Sequence, residues 1–490
     1  MRDVLLSAAA AAGVMVSQVL TTGWFAAGLG PVGFGVYGLS RRLVSALNAV
    51  APGPVAIGLA RAVAIAETER ERQASFAAGV ILTLAPYLAI LGIGLGGASL
   101  WARVVLSDRR YSAELAAALA LALATAVYSV VFARYRGSSR IRAANAWQLW
   151  AMAVGPMLVA GLVARHGPVA LVLWLLVGVS AVSLIPLLTW LGRTIRASIA
   201  WSEVREPLRG LLRYSLPRVP GAGALAALLA IGPFLAPYFG DVREAGYLVA
   251  GQSVLRIVEA STAGFSLVIL PRVSELQAGG REEFLRHRVE DLIGSLLFAG
   301  LFAASQLAIW APEIVRVWLG ADYDPAIPVI RTLLVALVPY LAYTLLRVVI
   351  DGMEERPVNT HNVYAALGAT ALIALALGWS GLGVMGLALA TALGLVLLGV
   401  LTVKFLRGRL RFDWAPVGVG AALGLNVLVT AAALAVQPIW RAHLSAPGAL
   451  VAGCATGGVL LGLSLVLLHH RRTRWLLQLE GRLLRGGGAA

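Results

Sequence analysis

The sequence predicts an all-α polytopic membrane protein of about 14 transmembrane helices, built as two six-helix lobes with two extra helices at the C-terminal end. Three observations carry this. Of the 490 residues 59% are hydrophobic and 13% charged, with mean hydropathy +0.83, whereas soluble domains carry roughly 45–50% apolar and about 25% charged residues. Apolar stretches too long for strands recur about every 35 residues, and each can supply the roughly 20 residues that a membrane helix needs. Basic residues concentrate on alternate connections, as an oriented multi-pass chain requires. The 54 glycines and 21 prolines suit packed membrane helices, where small residues let backbones approach.

The apolar stretches fall at about 4–28, 33–60, 75–98, 113–133, 145–164, 168–191, 219–239, 245–271, 290–311, 326–350, 361–379, 382–403, 414–436 and 446–468. Spans two and eight are the least clean, since each carries arginine. With both ends placed in the cytoplasm, 29 of the 40 basic residues lie on cytoplasmic segments and 7 on external ones. Four, Arg41, Arg42, Arg256 and Arg331, lie near membrane depth. An odd number of spans would destroy that asymmetry. The first span has no convincing cleavage site and reads as a retained helix.

The expected organisation is an N-terminal lobe over 1–192, a cytoplasmic linker over 193–218 and a C-terminal lobe over 219–404. Extra spans follow over 405–468, then a cytoplasmic amphipathic tail over 469–490 that suits an anionic leaflet. The linker is basic and partly amphipathic. The two halves share a weak repeat: Leu29-Gly30-Pro31-Val32-Gly33-Phe34-Gly35-Val36-Tyr37 after span one matches Phe239-Gly240-Asp241-Val242-Arg243-Glu244-Ala245-Gly246-Tyr247 after span seven. About 24 residues beyond each tyrosine stands a matching arginine, Arg61 and Arg272. Parallel repeats of this kind put a substrate site between the halves.

Composition narrows the chemistry. The net charge of +16 would suggest nucleic acid in a soluble chain, but here it follows membrane topology, and no nucleic-acid partner is expected. The single cysteine, Cys454, cannot form a disulfide within one chain, and the six histidines show no metal-ligand spacing. No nucleophile elbow, Walker loop, paired carboxylate or zinc motif is present, and the external connections are short. Neither a cofactor nor a metal is expected, and an enzyme is disfavoured.

The informative residues are polar groups inside spans, because an arginine at mid-membrane costs roughly 2.5–3.5 kcal/mol on insertion scales and usually faces a partner or water. Arg41, Arg42 and Arg256 form a candidate cationic cavity, and Glu259 stands one turn from Arg256 as a pairing partner. Neighbouring helix positions diverge by about 100°, so Arg41 and Arg42 do not both face one cavity squarely. Snorkelling of the first pair and a structural Arg256–Glu259 ion pair are the alternative reading. Gln18, Asn48 and Gln252 are candidate polar lining. Asn145 and Gln148 fit the same role or interhelical bonding. Arg347 and Asp351 read as a structural i, i+4 pair. Pro52-Gly53-Pro54 and Gly232-Pro233 are hinge candidates at corresponding places in the halves. Gly453, Gly457, Gly458 and Gly462 form a packing seam.

The segment Leu29 to Tyr37, the run Leu212-Arg213-Tyr214-Ser215-Leu216-Pro217 and the run Leu319-Gly320-Ala321-Asp322-Tyr323-Asp324-Pro325 through Arg331 resemble the polysaccharide biosynthesis and export family. That family belongs to the multidrug/oligosaccharidyl-lipid/polysaccharide flippase superfamily. The resemblance implies two lobes in a V with alternating access to a central cavity, in the inner membrane of a bacterial-type cell. It implies a flippase that moves an undecaprenyl-pyrophosphate-linked oligosaccharide from the inner to the outer leaflet, in cell-surface polysaccharide or lipopolysaccharide synthesis. Implied partners are that lipid-linked anionic glycan, membrane lipids, and a polysaccharide polymerase or glycosyltransferases. In such flippases, cavity arginines hold the pyrophosphate, and Arg41 or Arg42 and Arg256 lie on the appropriate helices. The chain departs from the family twice: span one offers only Gln18 in its polar middle, and span seven has Ile231-Gly232-Pro233-Phe234 where many members carry an aspartate. An ion-coupled multidrug and toxin extruder of the same superfamily is the alternative, and it would want buried carboxylates for cationic cargo. A membrane enzyme of glycan assembly is the second.

Overall fold

The computed structural model describes residues 2–50, 52–163, 167–196, 199–278, 282–354, 358–412, 414 and 419–470; among these, the side chains of 2–5, 52, 193–196, 260–272, 274–278 and 466–470 are outside the description. The expected tail beyond residue 470 and the side chain of Arg272 therefore lie outside the described residues. Those described are helical or in short turns, with no strand.

Helix α1 runs Arg2–Val50 but breaks at Gly30 (φ 64°, ψ 174°), immediately before Pro31. Proline has no N–H to continue the ladder, and glycine takes positive φ without a Cβ clash. The break falls between spans one and two, as the sequence expects. Helix α2 (Pro52–Ile65) follows, with residue 51 outside the described residues. Helix α3 (Glu69–Gly96) opens on a capping box in which Thr68 and Glu71 satisfy each other's backbone donors. The short external helix α4 (Ala98–Val105) and then α5 (Ser112–Gly137) follow. Helices α6 (Ile141–Leu149) and α7 (Gly155–Val163) are joined by a π-helical turn over Trp150–Val154, and α8 (Val169–Ala181) and α9 (Leu184–Arg196) complete the first half.

The linker forms α10 (Trp201–Ser215). Its Val204 and Leu211 join a buried cluster with Leu59, Val63, Phe76, Val127, Leu187 and Trp190 at the linker end of the first half. Glu203 accepts two hydrogen bonds from the Arg70 guanidinium, which ties α10 to α3.

The second half comprises α11 (Val219–Phe239), α12 (Val242–Ala278), α13 (Glu282–Ile309), α14 (Ala311–Trp318), α15 (Ala326–Leu334), α16 (Leu337–Met353), α17 (Val358–Trp379) and α18 (Gly383–Leu410). Helices α15 and α16 are bent by 49° and together make one broken span. Helix α11 continues through Gly232 and Pro233, the expected hinge position, without an interruption of the helix. Its Pro233 is buried among packed helices, which tolerate the lost backbone bond.

Two further helices, α19 (Val419–His443) and α20 (Ala446–His470), dock on the outer side of α13 and α14. Asn426 donates to the Phe298 carbonyl, Gln437 to the Ile309 carbonyl, and Arg441 grips Glu313, which is 4% exposed. Gly453 takes the Trp310 ring against its backbone. Gly458 and Gly462 have nothing within 4 Å of where a Cβ would stand, so the expected seam is used only at its first half.

Among the described residues, eleven helices are long and apolar enough to cross a membrane, or twelve with the bent pair. The expected count of 14 needs the Gly30 break to make two crossings and α12 to make another. Helix α12 is absent from the eleven, and carries Arg243, Glu244, Arg256 and Glu259 in its first 18 residues.

The two halves meet where the repeat motifs cross. A Cβ on Gly35 would run into the Val242 carbonyl oxygen, and one on Gly246 into the Pro31 carbonyl oxygen. Only glycine permits this backbone-to-backbone approach. Beside it, Trp318 Nε1 donates to the Val19 carbonyl (2.7 Å) and Tyr323 Oη to the Ala26 carbonyl (3.1 Å). Arg316 fixes the intervening turn by two parallel bonds to Asp324 (3.0 and 2.9 Å), and holds that carboxyl below the usual carboxylate range.

Replacing Gly35 or Gly246 by alanine is expected to lower stability by about 1–3 kcal/mol, the ordinary cost of overpacking. Gly92→Ala, where a Cβ meets open space, is expected to raise it by about 0.5–1 kcal/mol. Thermal unfolding of the purified variants in detergent checks both signs.

Candidate functional site: a cationic cavity between the halves

Below the crossing the two halves enclose a cavity of about 860 Å³. One face of α1 after the Gly30 break supplies Phe34, Tyr37, Arg41, Ser45 and Asn48. These recur at three- and four-residue intervals, as a single helical stripe must. Gln18 and Thr22, one turn apart on the preceding segment of α1, stand with them. Helix α5 adds Thr125 and Ser129, the π-helical turn adds Ala151 and Met152, and α8 adds Ser180. The second half contributes Val249, Ser253, Arg256, Ile257 and Glu259 from α12, with Thr344 and Arg347 from α16.

The end of the cavity at the crossing is shut by aromatic rings. Phe34 meets Tyr323 edge-on at 6.0 Å, Tyr247 meets Tyr323 at 6.2 Å, and Phe25 lies 4.9 Å from Tyr37. Such pairs combine large buried area with a preferred geometry.

Both neighbouring arginines line the cavity, where the sequence expected one to turn away. Arg41 lies half-buried on the main stripe, while Arg42, 8% exposed, turns toward the second half. Arg42 and Arg256 are close enough to repel each other, and the Tyr340 hydroxyl lies in the same field. The Arg42 Nε has no hydrogen-bond partner among the described residues. A guanidinium buried in that condition is costly.

Glu259 Oε2 accepts from the Tyr340 hydroxyl (2.7 Å), and no ion pair joins it to Arg256 among the described side chains. The Arg347–Asp351 pair is not formed either. Asn359 takes Asp351 Oδ1 (2.6 Å) and the Arg347 carbonyl (3.0 Å), and the Arg347 guanidinium lies over the Tyr343 ring at 5.5 Å, toward the cavity. Arg347 is therefore a lining residue that sequence spacing assigned elsewhere. Its signal was available: Tyr340, Tyr343, Thr344 and Arg347 form one polar stripe on an otherwise apolar helix.

Of the expected polar lining, Gln18 and Asn48 are in place, and Gln252 is not. Gln252 is 2% exposed, off the cavity, with both amide atoms lacking a hydrogen-bond partner among the described residues. Asn48 is held by Tyr87 Oη (2.7 Å) and donates to Thr125 Oγ1 (2.7 Å). Asn145 pairs with Ser7 away from the cavity (3.2 Å). The lining thus carries four guanidiniums against one carboxylate. Among the described residues no group of three or more His, Cys, Asp or Glu side chains is placed to hold a metal ion.

The fold is shared with solved structures of a lipid flippase and of multidrug transporters. The chain is similar to the lipid II flippase MurJ in an inward closed conformation (TM-score 0.75, 12% identity, 95% of this chain and 99% of that one). It is also similar to a multidrug resistance MATE family transporter of the MOP superfamily in an inward-facing conformation (TM-score 0.67, 15% identity, 83% and 98%). Against an outward-facing conformation of a multidrug resistance MATE family transporter the TM-score is 0.56, with 17% identity over 84% and 96%. No family model and no curated protein sequence matches the chain.

In a variant whose exposed native thiol, Cys454, is replaced by alanine, Ser45→Cys is expected to react with a membrane-impermeant maleimide and Gln252→Cys to stay unlabelled. Labelling in oriented vesicles checks this, and equal labelling would mean that the cavity is not separately hydrated.

Proposed function

We propose that the protein is a flippase for a lipid-linked, diphosphate-bearing glycan, working by alternating access between its two halves. The observation that carries this reading is the excess of guanidinium in the cavity between the halves, with buried Arg42 and exposed Arg256 near each other from opposite halves. Arginine presents bidentate donors that match phosphate oxygens. A diphosphate between the two would relieve their repulsion and tie the halves together in the loaded state.

A polar glycan cannot cross hydrocarbon unaided, while its lipid tail need not leave it. The protein then has to supply only a wet, cationic path for the headgroup. In this reading both termini and the linker end are cytoplasmic, as the arginine distribution along the chain supports, and the crossing closes the external side. The higher TM-score against an inward-facing transporter than against an outward-facing one supports the same orientation. The halves over 1–192 and 219–404 rock about the crossing, and helices α19 and α20 ride on the second half. The membrane is the inner membrane of a bacterial-type cell, where lipid-linked glycans for surface polysaccharide are assembled, and the chain itself performs no catalysis.

The multidrug reading shares the fold, but a cationic drug would meet four positive groups and one carboxylate already bonded to Tyr340.

The test is reconstitution in liposomes with a leaflet-resolved assay of undecaprenyl diphosphate carrying a sugar, against a cationic dye. Translocation of the lipid but not the dye is expected. Arg256→Gln is expected to weaken lipid binding roughly tenfold to hundredfold, as loss of one charge-assisted hydrogen bond of about 1.5–3 kcal/mol predicts. Unchanged translocation by a correctly inserted Arg256→Gln protein would remove that residue from the mechanism.

A further inference from the structure

The two walls of the cavity differ in chemistry. The wall from the second half presents guanidiniums and apolar surface, and its two hydroxyls are spent on their own helices: Ser253 on the Val249 carbonyl (2.8 Å) and Thr344 on the Leu341 carbonyl (3.0 Å). The wall from the first half is rich in uncharged polar groups, and several are uncommitted. Gln18, Thr22 and Ser45 make no side-chain hydrogen bond to the protein among the described residues, although each lines the cavity. Asn48, by contrast, is locked in one orientation by Tyr87 and Thr125.

Cavity-facing neutral donors and acceptors that are not needed by the fold are the groups that read hydroxyl and acylamino substituents. Their placement fits that task. Ser45 and Asn48 follow Arg41 on the same stripe, about 6 and 10 Å along the helix axis. A sugar attached to a diphosphate held at the arginines would reach this strip directly. The cavity volume of about 860 Å³ lies near the top of the range of roughly 300–1,000 Å³ for ligand pockets, so space remains beyond a diphosphate.

We propose that Gln18, Thr22 and Ser45 form a sugar-reading subsite in the first half, beside the fixed amide of Asn48, selecting the glycan residue next to the diphosphate by its hydroxyl and acylamino groups. This rests on the diphosphate-lipid reading above and assigns the two tasks to different walls: charge on both halves for capture, neutral hydrogen bonding on one half for selection. Gln18 occupies the span in which the resembling family often has a basic or amide residue, and here it becomes part of the selecting surface.

The test compares binding of two probes to the full chain in nanodiscs: undecaprenyl diphosphate carrying one N-acetylhexosamine, and bare undecaprenyl diphosphate. The native protein is expected to hold the sugar-bearing lipid about tenfold more tightly, the yield of two or three net hydrogen bonds. The combined Gln18→Leu, Thr22→Val, Ser45→Ala variant breaks no internal bond, and is expected to lose that preference while holding the bare lipid as before. The conservative set Gln18→Asn, Thr22→Ser is expected to keep part of it. Loss of both lipids in equal measure by the triple variant, or an undiminished preference, would overturn the subsite. Equal native affinity for the two lipids would overturn the subsite and leave the diphosphate reading standing. Native failure to hold either would overturn both.

Discussion

The crossing of α1 and α12 at Gly35 and Gly246 is the constraint from which the site follows. At that point main chain meets main chain with no room for a Cβ. The contact continues one turn on, where Gly38 lies against Val249, and beyond it the facing positions line the cavity. Arg41 lies six residues past Gly35, and Arg256 ten past Gly246, about 9 and 15 Å of helix rise. The pinch that joins the halves thus places their arginines across an opening gap. The contact lies within the repeat motif of both halves, but at positions one residue apart: Gly35 aligns with Ala245 and Gly246 with Val36.

Electrostatics and hydration then shape what the gap contains. Guanidiniums that repel each other are tolerable inside a membrane protein only where water or a counter-charge reaches them. The aromatic seal of Phe34, Tyr247 and Tyr323 prevents the cavity from running through to the other end. The single carboxylate, Glu259, is held by a tyrosine hydroxyl, which limits its capacity to cancel the field. An anionic headgroup can bind in such a site through charge, while its lipid portion needs no enclosed path.

The peripheral elements explain how the halves keep their shape. Helix α10 covers the linker end of the first half and is anchored by Arg70–Glu203 and by a buried apolar cluster. Helices α19 and α20 are tied to α13 and α14 by buried amides and by the Glu313–Arg441 pair. The strongest packing of α10 is against α2 and α3, and that of α19 against α13.

The sequence by itself determined the class, the rough position of the helices and the sign of the site. Hydropathy fixes which segments leave water, and the cost of burying arginine marks Arg41, Arg42 and Arg256 whatever the packing. Gly30-Pro31 was legible as a break because no packing supplies the missing N–H. The partners of polar groups were decided only in three dimensions. Glu259 bonds to Tyr340, 81 residues away, and Asp351 bonds to Asn359 in place of Arg347, because helix spacing brings side chains near each other but does not exclude a better-aimed partner on a neighbouring helix. For the same reason Gln252 faces the packed interior. Side-chain direction depends on how a helix is rotated against its neighbours, and that rotation is set by contacts such as Gly35 on Val242, distant in sequence.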